Sequence, residues 1–239
     1  MIPSAAMFHK DWQNLNAEDR KKAHEHLSAL MQLLSANAGQ HSTLHDDLFV
    51  WFRNLFFTTD PKFDAACGNL DFTLRARLWR LYVLCWAAEQ TTGRIVDIGT
   101  YDGKALEVVL RYAPGRKAYA YDLFDDPPAE AKKAAHGPGL ADKVRQRLAP
   151  YGVEVYAGDV RNHPLPHDIG FCQIDLNDAA AEGAIFPRVY ERLRPGSIVI
   201  FDDYGFRRYR ESALTHQRFL EGKEQVLELP TGQGMLVKR

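Results

Sequence analysis

Aspartates and glycines alternate in the segment that follows the first β-branched run of the chain. Asp97 comes shortly before Gly99, and Asp102 comes directly before Gly103. Glycine at both positions lets the backbone turn tightly and approach a ligand. A dinucleotide fingerprint that starts at the first glycine would need further glycines at positions 101 and 104, where this chain has a tyrosine and a lysine. The spacing therefore excludes a dinucleotide loop of that type.

The charge of this loop favours a cationic ligand. Asp97 and Asp102 would repel a pyrophosphate at the N-terminus of the helix that follows. S-adenosylmethionine carries a sulfonium and an ammonium group and has no phosphate, so two carboxylates suit it. We therefore predict that the loop binds S-adenosylmethionine, with Thr100 and Tyr101 among its contacts.

Acidic residues also follow the second and third predicted strands. Asp122, with Leu123 beside it, stands where a carboxylate can accept hydrogen bonds from both hydroxyls of a ribose. Gly158, Asp159 and Val160 follow the next strand, where the aspartate could accept from an adenine amino group. Each aspartate could instead cap a helix or a turn. Together with the glycine loop, the acidic strand ends favour the cofactor site.

A second acidic group follows strands four and five. Asp175 ends the fourth strand, and Asp202 and Asp203 end the fifth, so neighbouring strands would bring them to one rim. Carboxylates this close repel each other unless they are protonated or bridged by a cation, and oxygen donors favour Mg²⁺. Such an ion could orient an acceptor hydroxyl and lower its pKa, with Asp175 as ligand and candidate catalytic base. In the alternative, Asp203 caps the next helix and the others bind water.

Strand and helix patterns alternate from residue 94 onward. The predicted strands cover 95–98, 117–121, 153–157, 169–174 and 197–201, and a closing hairpin covers 225–229 and 235–238. The predicted helices cover 104–112, 126–148 with an interruption at 137–139, 179–193 and 208–220. This order predicts a doubly wound, mainly parallel α/β sheet with an antiparallel hairpin at its edge.

The sequence predicts that residues 1–92 form a helical N-terminal extension and that residues 93–239 form an α/β domain. Helices are predicted at 17–36, 44–57 and 74–90. Most of their aromatic residues are expected to pack between helices. The extension could also supply a lid, part of an acceptor pocket or an oligomer contact.

Composition narrows the classes of partner. The chain has 239 residues, 46% of them hydrophobic, and a formal net charge of -1 at pH 7. A nearly neutral chain without a long basic run argues against nucleic acid binding. The sequence has neither an apolar stretch of membrane-spanning length nor a signal-peptide core, so no membrane partner is expected. Cys67, Cys85 and Cys172 lack metal-ligand spacing and indicate reduced thiols in a cytoplasmic protein.

The chain from Ile95 to Arg239, about three-fifths of the total, resembles class I S-adenosylmethionine-dependent methyltransferases, specifically the macrocin O-methyltransferase-like (TylF/MycF-like) group. The resemblance is carried by segments 96–103, 121–124, 158–160 and 174–177, and most strongly by 193–205, which ends in Asp-Asp-Tyr-Gly.

This resemblance implies a seven-stranded Rossmann-like methyltransferase sheet and a small-molecule or sugar hydroxyl as methyl acceptor. It places the methionine part of the cofactor near Asp97, Gly99 and Gly103, the ribose on Asp122 and the adenine near Asp159. It also places Mg²⁺ on Asp175, Asp202 and Asp203. Relatives often act as oligomers, which leaves a homo-oligomer open. The chain departs from sugar-modifying relatives at Asn177, where they often carry a second aspartate.

Two other functions stay open at this stage. An NAD(P)-dependent oxidoreductase could use a similar sheet, although the phosphate-compatible loop and a Tyr-x-x-x-Lys pair are both missing from the sequence. A noncatalytic protein could retain the cofactor site and have lost the chemistry, and Asn177 leaves room for that interpretation.

Overall fold

The computed structural model describes Glu18 and residues 61–67, 78–125, 136–206 and 209–239. Several predicted segments lie outside these ranges: nearly all of helix 17–36, all of helix 44–57, residues 74–77 of the third helix, residues 126–135 of the interrupted helix, and residue 208. In the described part of the chain, no helix combines the length and apolarity needed to cross a membrane.

The described strands form one seven-stranded sheet. They are β1 Arg94–Ile98, β2 Ala118–Asp122, β3 Glu154–Ala157, β4 Ile169–Ile174, β5 Leu193–Phe201, β6 Val226–Glu228 and β7 Gly234–Val237. Their order is β3-β2-β1-β4-β5-β7-β6. The first five strands pair in parallel, and β7 runs antiparallel to both of its neighbours. The predicted parallel sheet with an antiparallel hairpin at its edge is confirmed.

Helices cover both faces of this sheet. They are α1 Pro61–Cys67, α2 Leu78–Glu89, α3 Lys104–Tyr112, α4 Leu140–Leu148, α5 Ala179–Tyr190 and α6 Arg210–Leu220. Side chains on a strand alternate between faces, so Ile95 of β1 packs in the core beneath α1 to α4 and Val96 packs in the core beneath α5 and α6. Burial on both faces explains why these strands are almost continuously apolar.

One predicted boundary between a helix and a strand is wrong. The helix predicted over 179–193 ends at Tyr190, and β5 begins at Leu193 instead of at residue 197. Leu193 already pairs with Ile169, and an irregularity in β4 then shifts the register before the regular ladder begins. Pro61 is the first residue of α1, a helix that the sequence analysis did not predict. Proline is favoured there because the first helical N–H needs no partner.

Helices α1 and α2 belong to the same hydrophobic core as the sheet. Phe63 of α1 and Leu84 of α2 are buried together with Ile95 and Leu110, and residues 58–239 form one compact unit. The role predicted for the N-terminal extension stays a prediction.

Candidate functional site

The backbones at the ends of β1 and β4 lie in close contact. The N–H of Asp175 donates to the carbonyl of Ile98 at 2.8 Å. Gly99 has a φ of 90°, and a Cβ atom at this position would lie 2.0 Å from the carbonyl oxygen of Asp175. The sequence interpretation assigned this glycine to close approach by a ligand. The structure shows that it first permits close approach by the chain's own backbone.

Asp122 ties the loop after β1 to the end of β2. One carboxylate oxygen accepts from the N–H of Tyr101 at 2.8 Å, and the other accepts from the N–H of Phe124 at 2.8 Å. A carboxylate has about four acceptor sites. Capacity for the hydroxyls of a ribose therefore remains after both backbone bonds are made.

Two rings flank this carboxylate. Tyr101 has a left-handed φ of 53°, and its ring meets that of His136 edge to face at 5.0 Å. The imidazole Nε2 lies 3.5 Å from Asp122 Oδ1. Leu123, the neighbour predicted to share the site, is half-buried. Sequence reasoning did not select His136, because it is distant along the chain from the strand that it approaches.

Asp97 is buried with an open acceptor. The residue is 3% exposed, and its Oδ1 has no hydrogen-bond partner in the described part of the chain. Burial raises the pKa of Asp97 to about 7; a hydrogen bond from Thr100 opposes this shift, and the charges of Asp175 and Asp122 add to it. A buried carboxylate in this state is stabilised by a cationic partner.

Gly103 starts α3 at the other end of this loop. It has a left-handed φ of 77° and serves as the N-cap without a side-chain hydrogen bond. The turn conformation that the sequence assigned to this glycine is therefore present.

In the segment after β3, Asp159 is paired with a nearby arginine. Asp159 accepts from the N–H of Arg161 at 2.9 Å, and its carboxylate pairs with the Arg161 guanidinium at 2.6 Å. The cap that was the alternative interpretation of Asp159 is therefore present. Gly158 donates to the carbonyl of Asp122 at 2.9 Å, and Val160 is buried. An adenine contact to Asp159 stays a prediction, and it would share the carboxylate with Arg161.

The three acidic residues at the ends of β4 and β5 come together as predicted. One oxygen each from Asp175, Asp202 and Asp203 lie within 4.8 Å of one another. Asp202 is buried, and the other two are half-buried. Burial raises the pKa of Asp202 to about 6, the charge of Asp175 adds to this shift and the charge of Arg80 opposes it.

Arg80 of α2 supplies a positive charge to this carboxylate cluster, which we define as Asp175, Asp202 and Asp203. Its Nη2 lies 2.6 Å from Asp202 Oδ2 and 2.8 Å from Asp203 Oδ1, and it also donates to the Asp202 carbonyl. Sequence reasoning missed Arg80. The available signal was that it is the one charged residue in the apolar stretch 78–88.

Gln233, in the turn between β6 and β7, donates a hydrogen bond to the carboxylate cluster. Its side-chain amide donates to Asp202 Oδ1 at 3.2 Å, and the residue is fully buried. No sequence signal pointed to it. The alternative in which Asp203 caps the next helix is wrong, because Tyr209 occupies the N-cap of α6 and makes no side-chain capping bond.

A chain of contacts fixes Asp175 from the α5 side. Asn177 donates from its side chain to Asp175 Oδ1 at 2.7 Å, and its own N–H donates to Glu182 Oε1 at 3.2 Å. Burial raises the pKa of Glu182 to about 8, with a further contribution from the charge of Asp175. His216 lies 3.4 Å from Glu182 and stacks on Phe201 at 4.1 Å. Burial lowers the pKa of His216 to about 4.

The arrangement separates two chemical environments along one edge of the sheet. Beyond β1 to β3 lie carboxylates suited to a cation and to vicinal hydroxyls. Beyond β4 and β5 lies a carboxylate cluster neutralised in part by a guanidinium. In open α/β sheets this edge is where ligands bind.

Comparison with known proteins yields matches in structure and none in sequence. No family model matches the chain, and no curated protein matches it. The apo structure of CalS11, described as a TDP-rhamnose 3'-O-methyltransferase of calicheamicin biosynthesis, is 17% identical, with a TM-score of 0.56 over 82% of this chain and 93% of that one. The fold is that of Rossmann-like methyltransferases.

Other structural neighbours were solved with S-adenosylmethionine or S-adenosylhomocysteine bound. The O-methyltransferase TomG from Streptomyces achromogenes, solved with S-adenosylmethionine, is 16% identical, with a TM-score of 0.52 over 81% of this chain and 96% of that one. The Podospora anserina methyltransferase PaMTH1, solved with S-adenosylhomocysteine, is 12% identical, with a TM-score of 0.54 over 83% of this chain and 97% of that one. At identities this low, the structural matches establish the fold alone.

Proposed function

We propose that this chain is an S-adenosylmethionine-dependent O-methyltransferase that acts on a hydroxyl of a small molecule or sugar. The observation that carries the proposal is the buried Asp97, whose Oδ1 has no hydrogen-bond partner among the described residues. A methyltransferase-like sheet with an open carboxylate near the C-terminal end of its first strand suits a sulfonium compound with an ammonium group. The acceptor class takes support from CalS11, whose name records a sugar 3'-O-methyltransferase.

The cofactor would extend along the ends of β1 to β3. Its methionine part would lie against the loop that contains Asp97, Gly99, Thr100, Tyr101 and Gly103. Asp122 would hold the ribose hydroxyls beside Leu123. The adenine would lie near the turn formed by Gly158, Asp159 and Val160. Asp175 would stand at the boundary, near the transferred methyl group.

The carboxylate cluster would receive the acceptor. Its oxygen donors suit Mg²⁺, and one oxygen from each of the three carboxylates lies within 4.8 Å of the other two. A bound ion would supply Lewis-acid polarisation of the acceptor oxygen. Asp175, oriented by Asn177, would take the hydroxyl proton while the oxygen attacks the methyl carbon. The bond between that carbon and the sulfonium sulfur would break, and S-adenosylhomocysteine would leave as a neutral thioether.

Calorimetry tests the cofactor site. S-adenosylmethionine should bind the wild type, and Asp122→Ala should weaken binding at least about a hundredfold, because the ribose contact and the loop anchor are lost together. Asp142→Ala, which replaces an exposed side chain of α4, is the control and should leave affinity unchanged. Binding of a nicotinamide cofactor with none of S-adenosylmethionine would instead favour the oxidoreductase alternative.

Mass spectrometry of labelled-methyl transfer to a metabolite extract tests the reaction and identifies the acceptor. A noncatalytic S-adenosylmethionine-binding protein is the second candidate, because Arg80 bonds to two of the three carboxylates in the cluster. Tight cofactor binding without transfer across a broad panel of hydroxyl compounds would favour it.

A further inference from the structure

We infer that Arg80 competes with divalent cations for the carboxylate cluster, so that a metal ion enters only when the guanidinium withdraws. The inference rests on the proposed metal site, and it concerns what controls the occupancy of that site.

The competition follows from shared atoms. Arg80 Nη2 lies within 2.8 Å of one oxygen of Asp203 and one of Asp202, and Asp175 completes the cluster. Mg²⁺ would take carboxylate oxygens at about 2.1 Å. An ion bound between those two oxygens would lie against a positively charged nitrogen, and like charges in a partly buried site repel strongly. The guanidinium and the metal ion therefore exclude each other.

The charges indicate which occupant can win. The guanidinium offsets one of the three negative charges of the cluster, whereas a divalent ion would offset two. The balance then depends on the dehydration cost of the ion, which is large for Mg²⁺, and on the hydrogen bonds that Arg80 gives up. Removing the arginine should therefore increase metal affinity substantially.

Arg80 can withdraw without unfolding its helix. Leu81 and Leu84 of α2 are buried in the core, which fixes the helix. The Arg80 side chain is 16% exposed, and its Cζ lies 5.4 Å from the centroid of the Phe206 ring. Gln233 donates to the backbone carbonyl of Arg80 and to Asp202. A rotation of the side chain therefore frees the carboxylates while the backbone contact remains.

Mn²⁺ titration of the full chain, followed by electron paramagnetic resonance without S-adenosylmethionine, tests the inference. Arg80→Gln should bind Mn²⁺ at least about tenfold more tightly than the wild type, because a neutral amide removes the competing charge. Arg80→Gln with Asp202→Asn should lose that gain. Arg145→Gln is the matched control: Arg145 is an exposed arginine paired with Asp142 on α4, and its loss should leave Mn²⁺ affinity at the wild-type value.

Equal or weaker Mn²⁺ binding by a folded Arg80→Gln variant overturns the inference. Thermal melting verifies folding. If that variant does not fold, Arg80→Met decides, since its side chain carries no charge; it should also bind Mn²⁺ at least about tenfold more tightly, and unchanged affinity overturns the inference. A calorimetric titration with S-adenosylmethionine is independent of both variants. If the wild type does not bind S-adenosylmethionine while Arg80→Gln still binds Mn²⁺ more tightly than the wild type, the proposed function is wrong and the competition between Arg80 and metal ions is still supported.

Discussion

The two halves of the candidate site are held in different ways. At the ends of β1 and β2, the carboxylate of Asp122 is fixed by backbone N–H groups of the adjoining loops. At the end of β5, Asp202 is fixed by side chains from distant parts of the chain, since Arg80 is 122 residues away and Gln233 is 31 residues away. Backbone donors cannot rotate away from a carboxylate, whereas long side chains can. The half proposed to bind the cofactor, at the ends of β1 to β3, is therefore preorganised. The half proposed to receive the acceptor, at the ends of β4 and β5, can rearrange.

Gly99 is where the two halves meet, so its replacement should have the largest effect. In Gly99→Ala the new Cβ would lie 2.0 Å from the Asp175 carbonyl at a φ of 90°. We expect destabilisation of more than about 4 kcal/mol, measured by urea unfolding, and loss of both cofactor and metal binding. Gly115→Ala is the matched control, because Gly115 has a φ of 80° with nothing within 4 Å. Equal losses of unfolding free energy in both variants would show that backbone strain alone causes the effect.

Ionised Asp97 should lower the stability of the fold and strengthen the binding of S-adenosylmethionine. Its folded pKa of about 7 lies above the ordinary value of 3.8, so its contribution to stability is complete below pH 3.8 and is lost as pH rises to about 7. Asp97→Asn should therefore raise the free energy of unfolding relative to wild type above pH 7, by up to about 4 kcal/mol. The same variant should bind S-adenosylmethionine at least about tenfold more weakly.

The wild type should show the corresponding pH dependence. Because the ionised form of Asp97 attracts a cation, affinity for S-adenosylmethionine should fall as pH drops below about 7. Calorimetry from pH 5.5 to 8.5 measures this. A flat profile, or an Asp97→Asn variant with wild-type affinity, would contradict the assignment of this residue to the cofactor.

Gln233→Ala should affect the acceptor half alone. It removes the buried amide that donates to Asp202, so we expect a loss of about 1 to 3 kcal/mol in unfolding free energy. The dissociation constant for S-adenosylmethionine should change less than about twofold, because the ends of β1 to β3 are untouched. A large loss of cofactor affinity would show that the halves are coupled more strongly than their separate contacts indicate.

Glu182→Gln should have an effect on stability that is small only in acid. With a folded pKa of about 8 against an ordinary 4.5, Glu182 is neutral in both the folded and the unfolded state below pH 4.5, so the variant and the wild type should melt within about 1 °C of each other at pH 4. The variant should become the more stable of the two as pH rises from 4.5 to about 8, because an amide cannot ionise. Melting curves at pH 4, 7 and 9 measure the difference, and a gap independent of pH would exclude the ionisation as its cause.

The same contrast between local and distant contacts explains what could be predicted. The sheet, α3 and the convergence of Asp175 with Asp202 and Asp203 followed from residue patterns, because strand alternation and the carboxyl ends of parallel strands are local properties. Arg80 and Gln233 approach the cluster only after α2 and the closing hairpin pack against the sheet. Nothing within a few residues of either one specifies that destination. The start of β5 was misplaced for a similar reason, since its pairing with β4 depends on an irregularity in the partner strand.

The position of β7 between β5 and β6 has a consequence for how the protein is made. The fifth strand leaves the ribosome well before residues 234–237, which pair with it, and Gln233 emerges just ahead of that strand. Until then β5 lacks its antiparallel partner, and Asp202 lacks the Gln233 amide. The contacts of Asp122 at the ends of β1 and β2 can form during translation, whereas those of Asp202 must wait for the hairpin of β6 and β7.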